Sequence, residues 1–475
     1  MYAPAETQLP GSDRADFRAI VQPAVHDSPS APDALLPPSG ATTGTRPGSE
    51  PERSLLVRIL LIIFYVIIAL VTLYLIRHYR FSLNRTFGRQ RHPYLDVDTA
   101  DWPHVTVLVP AHNEEGVIAE ILTALLRADY PAERLTIIPI NDRSRDRTES
   151  IINDFAVRHP ATIKPFHRRR GKAGKAAALK DAMELVPDDI VLVFDADYIP
   201  GSSVIKQLVA PFFDPEVGAV MGRVIPHNVE ENLLTRLLDL ERSGGYQVDQ
   251  QARMNLHVTP QYGGTVGGIR KAALQSVGGW RTDTLAEDTD ATLRLLLKGW
   301  KTVYQNRTEC YEQVPTSWTD RMRQIKRWAR GHNQTMWRYC WRLMTNRRTS
   351  LAEKIDGFML LHIYMMAPLL LLGWAAGILL WYLGINKPGL IVILAVTAYS
   401  TLGNFAIFFE VATAAYLDGT RGRIRLMPFM LLGFLVNLMT VAWATVTQPF
   451  AHANGKDVRW ERTNHNNGNG TRLWL

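Results

Sequence analysis

Four stretches of the chain, 59–76, 358–383, 390–409 and 427–447, contain no Asp, Glu, Lys or Arg. A spanning helix needs ~20 apolar residues, because each advances ~1.5 Å and the hydrocarbon is ~30 Å thick. The pattern predicts transmembrane helices over 55–76, 357–383, 390–412 and 427–447, and hence an integral membrane protein. The first run lies too far into the chain and is too long for a cleaved signal peptide, and it lacks a small-residue cleavage pattern. Residues 1–50, rich in Pro, Ser, Ala, Thr and Gly, cannot bury enough surface to offset ordering entropy and are expected to be disordered.

Between the first two spans the period changes. Short β-branched runs at 105–109, 135–140 and 190–194 each end in a polar cluster, and helical patterns at 116–127 and 146–158 intervene. Such alternation predicts an α/β domain over 92–315, built on an open parallel sheet with functional residues at the strand C-termini. In 316–345, Met322, Ile325, Trp328 or Ala329, Met336, Cys340 and Met344 recur at helical spacing, with Arg321, Arg323, Lys326, Arg330, Arg338 and Arg342 among them. An amphipathic helix of this kind suits the membrane–water interface. Packing on the soluble domain is the other reading, and the position just before a span favours the interface. A polar tail, 450–475, closes the chain.

Composition adds a net charge of +8. The cations cluster beside the apolar runs, with Arg77, Arg80, Arg85, Arg89 and Arg91 after the first and Arg421, Arg423 and Arg425 before the last. Membrane orientation accounts for that pattern, so membrane lipids are expected partners and nucleic acid is not. Two cysteines, Cys310 and Cys340, exclude a disulfide scaffold and a Cys-rich metal site. With the 92–345 region cytosolic, four spans leave the tail outside, although it carries Lys456, Arg459 and Arg462. Either a run such as 358–383 does not cross fully or the tail is external.

Four constellations carry candidate chemistry. Asn113-Glu114-Glu115 and Asn141-Asp142 follow two of the expected strands. Adjacent strand ends of that kind form a nucleotide crevice, while Asn and Asp also serve as plain loop caps. Arg168-Arg-Arg-Gly171-Lys172-Ala-Gly174-Lys175 opens an Ala-rich helix and offers an anion site, or simply solvated charge, a reading that suits the arginines better than the lysines. Asp195-Ala-Asp197 follows the uncharged run 190–194. On a strand those two carboxylates point to the same side, and a hard divalent cation, Mg²⁺ or Mn²⁺, resolves their repulsion and bridges to a diphosphate. Finally, Glu287-Asp288 opens a helix, where an N-cap role would also suffice, and Gln324-x-x-Arg327-Trp328 offers an amide, a cation and an aromatic face.

In this order, Asp195-x-Asp197, Glu287-Asp288 and Gln324-x-x-Arg327-Trp328 resemble the membrane-bound family 2 glycosyltransferases, which include cellulose, hyaluronan, chitin and poly-N-acetylglucosamine synthases. The resemblance covers roughly 100–345 and extends to Tyr262-Gly-Gly264-Thr-Val-Gly-Gly, similar to the family's acceptor-side loop. Two departures stand out: of the usual Asp-Asp-Ser only Asp142 carries over, and Tyr262-Gly-Gly replaces Phe-x-Gly. The resemblance implies a GT-A-like α/β domain inserted between transmembrane helices, in a bacterial inner or plasma membrane with the catalytic domain cytosolic. It implies inverting transfer from a UDP-sugar, glucose or N-acetylglucosamine, with Asp288 as general base. Asp197 and Asp195 would hold Mg²⁺ or Mn²⁺. Asn113, Glu114, Asp142, Lys175, Gln324 and Arg327 would serve the donor, and Trp328, Glu287 and Gly264 the acceptor. The expected activity is elongation and export of a β-linked polysaccharide. The alternatives are a non-processive transferase making a glycolipid such as glycosyl-diacylglycerol, and an inactive binding or scaffold protein.

Overall fold

The computed structural model describes residues 50–91, 101–383 and 405–453, together with positions 389 and 395. All but the last residue of the expected disordered segment 1–50, the bulk of the tail and most of the 390–412 span fall outside those residues. Helix α1 (Glu50–Phe87) precedes the soluble domain. The domain then runs β1 (Val105–Ala111), α2 (Ile118–Leu126), β2 (Leu135–Asp142), α3 (Thr148–Arg158), β3 (Phe166–Arg168), α4 (Lys175–Ala182), β4 (Ile190–Val193) and β5 (Ile199–Pro200). It continues through α5 (Val204–Val209), β6 (Val217–Pro226), α6 (Leu233–Ser243), a π-helical stretch (Gly244–Gln250), α7 (Gln251–Asn255), β7 (Gly267–Arg270), α8 (Lys271–Ser276), α9 (Glu287–Lys298) and β8 (Lys301–Glu312). The remaining helices are α10 (Trp318–Thr345), α11 (Leu351–His362), α12 (Met366–Tyr382), α13 (Phe405–Leu417) and α14 (Met430–Ala453).

The eight strands form one sheet in the order β3-β2-β1-β4-β7-β6-β8-β5. The expected parallel sheet is interrupted rather than continuous. In its first half β1 pairs in parallel with β2 and β4, and β2 with β3. β6 and β8 also pair in parallel, whereas β7 runs antiparallel to both β4 and β6, and β5 to β8. Alternate side chains feed two cores. Val105, Val107 and Val109 pack with Ile121, Leu122 and Leu192; Leu108 packs on the other face with Ile138, Val191 and Ile269. Burial on both faces explains why these strands read as continuous apolar runs. Each such side chain contributes about 1.5–3 kcal/mol.

Among the described residues three helical segments are long and apolar enough to cross a membrane: Leu55–Phe87, Leu351–Tyr382 and Arg421–Pro449. The arginines after the first run do more than orient a helix. Arg77 pairs with Asp249 and Asp356, at 2.8 and 3.0 Å, and Arg85 donates to the Gln247 carbonyl at 2.7 Å. Near the last run, Arg423 pairs with Asp239 of α6. The ends of these helices are thereby bolted to the soluble domain.

Helix α10 departs from expectation in its buried face. Arg321, Ile325, Ala329, His332, Asn333, Met336, Tyr339 and Leu343 point inward, whereas Met322 and Met344, expected on the apolar face, are exposed together with Trp337 and Trp341. Inside, α10 meets two partners. Gly331 lies against Ala286, where a Cβ would come within 2.7 Å of the Ala286 Cβ. Asn333 donates to Thr445 Oγ1 and Gln448 Oε1 of α14, at 3.1 and 3.2 Å, and Gln448 donates to the Arg330 carbonyl at 3.0 Å.

Candidate active site

The parallel register sets Ala111 beside Asn141, so the polar residues after β1 and at the end of β2 share one rim. Asn113, in the left-handed region at φ 56°, donates its N–H to Ser144 Oγ at 3.0 Å and accepts from the Arg145 N–H at 2.7 Å. The Glu114 N–H donates to Thr148 Oγ1 at 2.8 Å. Asp142 is engaged otherwise than expected. Its Oδ1 accepts from the buried Arg168 Nη1 at 2.7 Å and from Arg143 Nε at 2.9 Å, and its Oδ2 accepts from the Gly174 N–H at 3.1 Å. Asp142 therefore shapes the loop that leads into Lys175.

That loop delivers Lys175 to the centre of the site. Its Nζ lies 2.6 Å from Asp195 Oδ1. Burial opposes the ammonium charge, but Asp195 and Glu287 outweigh it, so the Lys175 pKa is raised. Asp195 and Asp197 do not sit on the strand as anticipated. β4 stops at Val193, and the two carboxylates occupy a turn closed by the Tyr198 N–H on the Asp195 carbonyl at 3.2 Å. Burial, then Asp195 and Glu114, push the Asp197 carboxyl up to about 8. A carboxyl so disfavoured as an anion fits a cation site, since a metal supplies the missing positive charge. Among the described residues no three His, Cys, Asp or Glu groups gather into a self-sufficient site. Two hard carboxylate ligands suit Mg²⁺ or Mn²⁺, which complete their shell with phosphate and water.

The loop 262–266, just before β7, connects this cluster to α9. Thr265 Oγ1 accepts from the Asp195 N–H at 2.9 Å. Gly264, at φ 74°, passes so close to α9 that a Cβ there would lie 3.0 Å from the Asp288 Cβ. Glu287 and Asp288 occupy the first turn of α9. Burial raises the Glu287 pKa, Lys175 opposes this and Asp288 adds to it. Asp288 Oδ1 accepts from the Thr289 N–H at 2.6 Å. The fold thus brings together Lys175, Asp195, Asp197, Glu114, Glu287, Asp288 and Gly264, from segments spread over much of the domain.

The α10 group is arranged less as expected. Gln324 Oε1 accepts from Arg321 Nη1 at 2.9 Å, and Arg327 is half-buried. Trp328 lies between two guanidiniums, with Arg242 Cζ 5.1 Å and Arg321 Cζ 5.5 Å from its ring. Arg242 in turn donates to Glu312 at 2.5 Å, and Tyr198 donates to the same carboxylate at 3.0 Å. A chain of contacts therefore runs from the residue after Asp197 to Trp328. Arg168 lies in the basic motif that ends at Lys175 and Thr289 directly follows Glu287-Asp288, neither read as a site residue, and no short motif marks Arg242, Glu312 or His332.

A family model described as "Glycosyltransferase like family 2" matches residues 103–331. The probable glycosyltransferase YdaM of Bacillus subtilis (strain 168) is 32% identical over 287 residues, which cover 58% of this chain and 67% of that protein. The β-monoglucosyldiacylglycerol synthase of Synechocystis sp. is 31% identical over 277 residues, 58% of this chain and 57% of that synthase, so the chain spans less than two thirds of its length. Among solved structures, a Pyrobaculum calidifontis mannosyltransferase in complex with GDP-Man and Mn²⁺ aligns with a TM-score of 0.53 and 21% identity. The alignment covers 83% of this chain and 99% of that one, a likeness of fold.

Proposed function

The chain belongs to glycosyltransferase-like family 2, and from that premise we propose that it transfers one hexose from a UDP-sugar, glucose first among candidates, to a membrane lipid such as diacylglycerol. The observation that carries this reading is the 31% identity to a β-monoglucosyldiacylglycerol synthase over 277 residues. The membrane-length helices docked on the catalytic domain supply a route for a lipid acceptor. Elongation of a β-linked polysaccharide is the second reading, favoured by Gln324-x-x-Arg327-Trp328. It loses weight because Trp328 is already packed between Arg242 and Arg321.

In the proposed reaction Asp288 takes the proton of the acceptor hydroxyl as that oxygen attacks the anomeric carbon, and UDP leaves from the opposite face with inversion. Gly264 lets the acceptor-side loop close on Asp288. Lys175 balances the acidic cluster around the donor. A divalent cation held by Asp195 and Asp197 would stabilise the charge that develops on the diphosphate. Arg327 and Gln324 would serve the donor from α10.

The test is a donor screen on membranes containing the full chain, with radiolabelled UDP-glucose, UDP-N-acetylglucosamine or UDP-galactose and added diacylglycerol. The expected product carries one hexose per lipid and partitions into organic solvent. A solvent-insoluble product of graded length would overturn the lipid reading in favour of the polymer.

A further inference from the structure

Thr289 stands between the proposed base and a buried imidazole. Its Oγ1 lies 3.3 Å from Asp288 Oδ1 and 3.2 Å from His332 Nε2, and it accepts from Gln261 Nε2 at 2.9 Å. His332 is 9% exposed, and its Nδ1 has no protein partner among the described residues. Buried ring nitrogens in folded proteins are normally hydrogen-bonded, and an exception calls for an explanation. The ring is fixed from the membrane side by edge-to-face contact with Tyr364, with centroids 5.0 Å apart. Gly331 explains the placement, because its missing Cβ allows α10 to close on Ala286 at the start of α9.

We propose that His332, acting through Thr289, is a positioning and relay residue that receives the proton Asp288 removes from the acceptor. The inference rests on the assignment of Asp288 as base. The acceptor O–H bond breaks as its oxygen bonds to the anomeric carbon, and the bond from that carbon to the diphosphate breaks, with its electron pair leaving on UDP. The proton on Asp288 passes to Thr289 Oγ1 while the hydroxyl proton of Thr289 passes to His332 Nε2. Asp288 is again a carboxylate, and His332 becomes an imidazolium that gives its proton to water when the products leave. The resting ring must then carry its one proton on Nδ1 and a lone pair on Nε2. The distances admit this arrangement, since Thr289 Oγ1 is within reach of both His332 Nε2 and Asp288 Oδ1, and that Oδ1 also accepts the Thr289 N–H at 2.6 Å. The titratable groups facing the ring are Asp288 from α9 and Tyr364 from the turn after α11. Burial lowers the His332 pKa, and Asp288 pulls the other way without reversing it, so the ring is neutral and able to accept at pH 7.

Two measurements on the full chain in lipid nanodiscs test this. The first needs no turnover: ¹⁵N shifts of ring-labelled histidine, assigned with His332→Gln, are expected to place the resting proton on Nδ1, and a proton on Nε2 would overturn the relay. The second is the pH profile of kcat for hexose transfer from UDP-glucose to diacylglycerol, with UDP affinity measured alongside. Wild type should lose rate as pH falls and His332 charges. Thr289→Val, which keeps the shape but not the hydroxyl, should cost at least about tenfold in kcat, below the ~10²–10⁴ of losing a base outright. It should also flatten that limb with UDP affinity retained, whereas Thr289→Ser retains the limb. A Thr289→Val enzyme with the wild-type profile would overturn the proposal. Absence of lipid product from wild type would instead overturn the lipid reading; the profile is then taken on UDP-glucose hydrolysis, where water replaces the lipid hydroxyl.

Discussion

Lys175 and Asp195 are joined by a 2.6 Å ion pair at the point where acidic residues of two separate segments, Asp195 and the pair Glu287 and Asp288, converge. The ammonium therefore offsets part of the charge that a metal would otherwise have to balance. Removing one partner of a buried pair costs up to about 3–5 kcal/mol, and the partial exposure of both groups here places the loss below that range. Lys175→Met should lower Tm, and added Mn²⁺ should raise the variant's Tm by more than it raises that of wild type. Equal shifts would show that Lys175 does not compensate the acids.

Asp197 carries the pH dependence. Its carboxyl, raised to about 8 first by burial and then by Asp195 and Glu114, binds a proton more tightly folded than unfolded. That contribution to stability is complete below the unfolded value of about 4 and is lost as pH rises through the folded one. In chelator, Tm should decline between pH 6 and 9; saturating Mn²⁺, which takes the ionised form, should flatten the decline. A chelated protein that grows more stable across the interval would contradict this sign.

For Asp288, the amide replacement separates proton transfer from binding. Asp288→Asn should lose ~10²–10⁴ in transfer rate while calorimetry finds UDP affinity nearly unchanged. Equal loss of both would make Asp288 a ligand or a helix cap.

Trp328 should behave as a structural spacer between two cations. Buried cation–π contacts are worth from about 0.5 to 2 kcal/mol, so Trp328→Ala should destabilise by about 1–2 kcal/mol and Trp328→Phe by less. Because Arg242 also holds Glu312 and, through it, Tyr198, the alanine variant should raise KM for the donor. A pure acceptor platform would leave donor KM untouched.

On the outer face of α10, Trp337 and Trp341 are 77% and 78% exposed, one helical turn apart. If they sit in the headgroup region, as indoles beside cations do, brominated lipids should quench tryptophan fluorescence in nanodiscs. Trp337→Ser with Trp341→Ser should remove much of that quenching without changing UDP affinity. Undiminished quenching would place this face away from lipid.

The central strands were legible because β1, β2 and β4 are covered on both faces, and their runs announce themselves by length and branching. β6, β7 and β8 were not, since Gly218, Gly222 and Arg223 break up 217–226, 301–312 mixes polar residues into the strand, and Gly267 and Gly268 carry no side chain to read. The carboxylates at Asp195, Asp197 and Asp288 were visible as motifs with fixed spacing. The long-range pairs that frame the site around them were not: Arg168 reaches Asp142 across 26 positions and Arg242 reaches Glu312 across 70. A helix over 316–345 was anticipated, but its inward face differs because Arg321, counted among its cations, is buried against Glu241 at 2.5 Å.

Helix α14 accompanies α10 in the same direction, from Gly433 beside Trp318 to Gln448 beside Arg330 and Asn333. Two rods latched at both ends cannot slide independently, and the far end of α10 holds Asp290 through Tyr339 at 2.8 Å, two residues from Asp288. A change in bilayer thickness that tilts α14 would be levered into the first turn of α9. Turnover should thus respond to acyl-chain length even when donor, acceptor headgroup and metal are held constant.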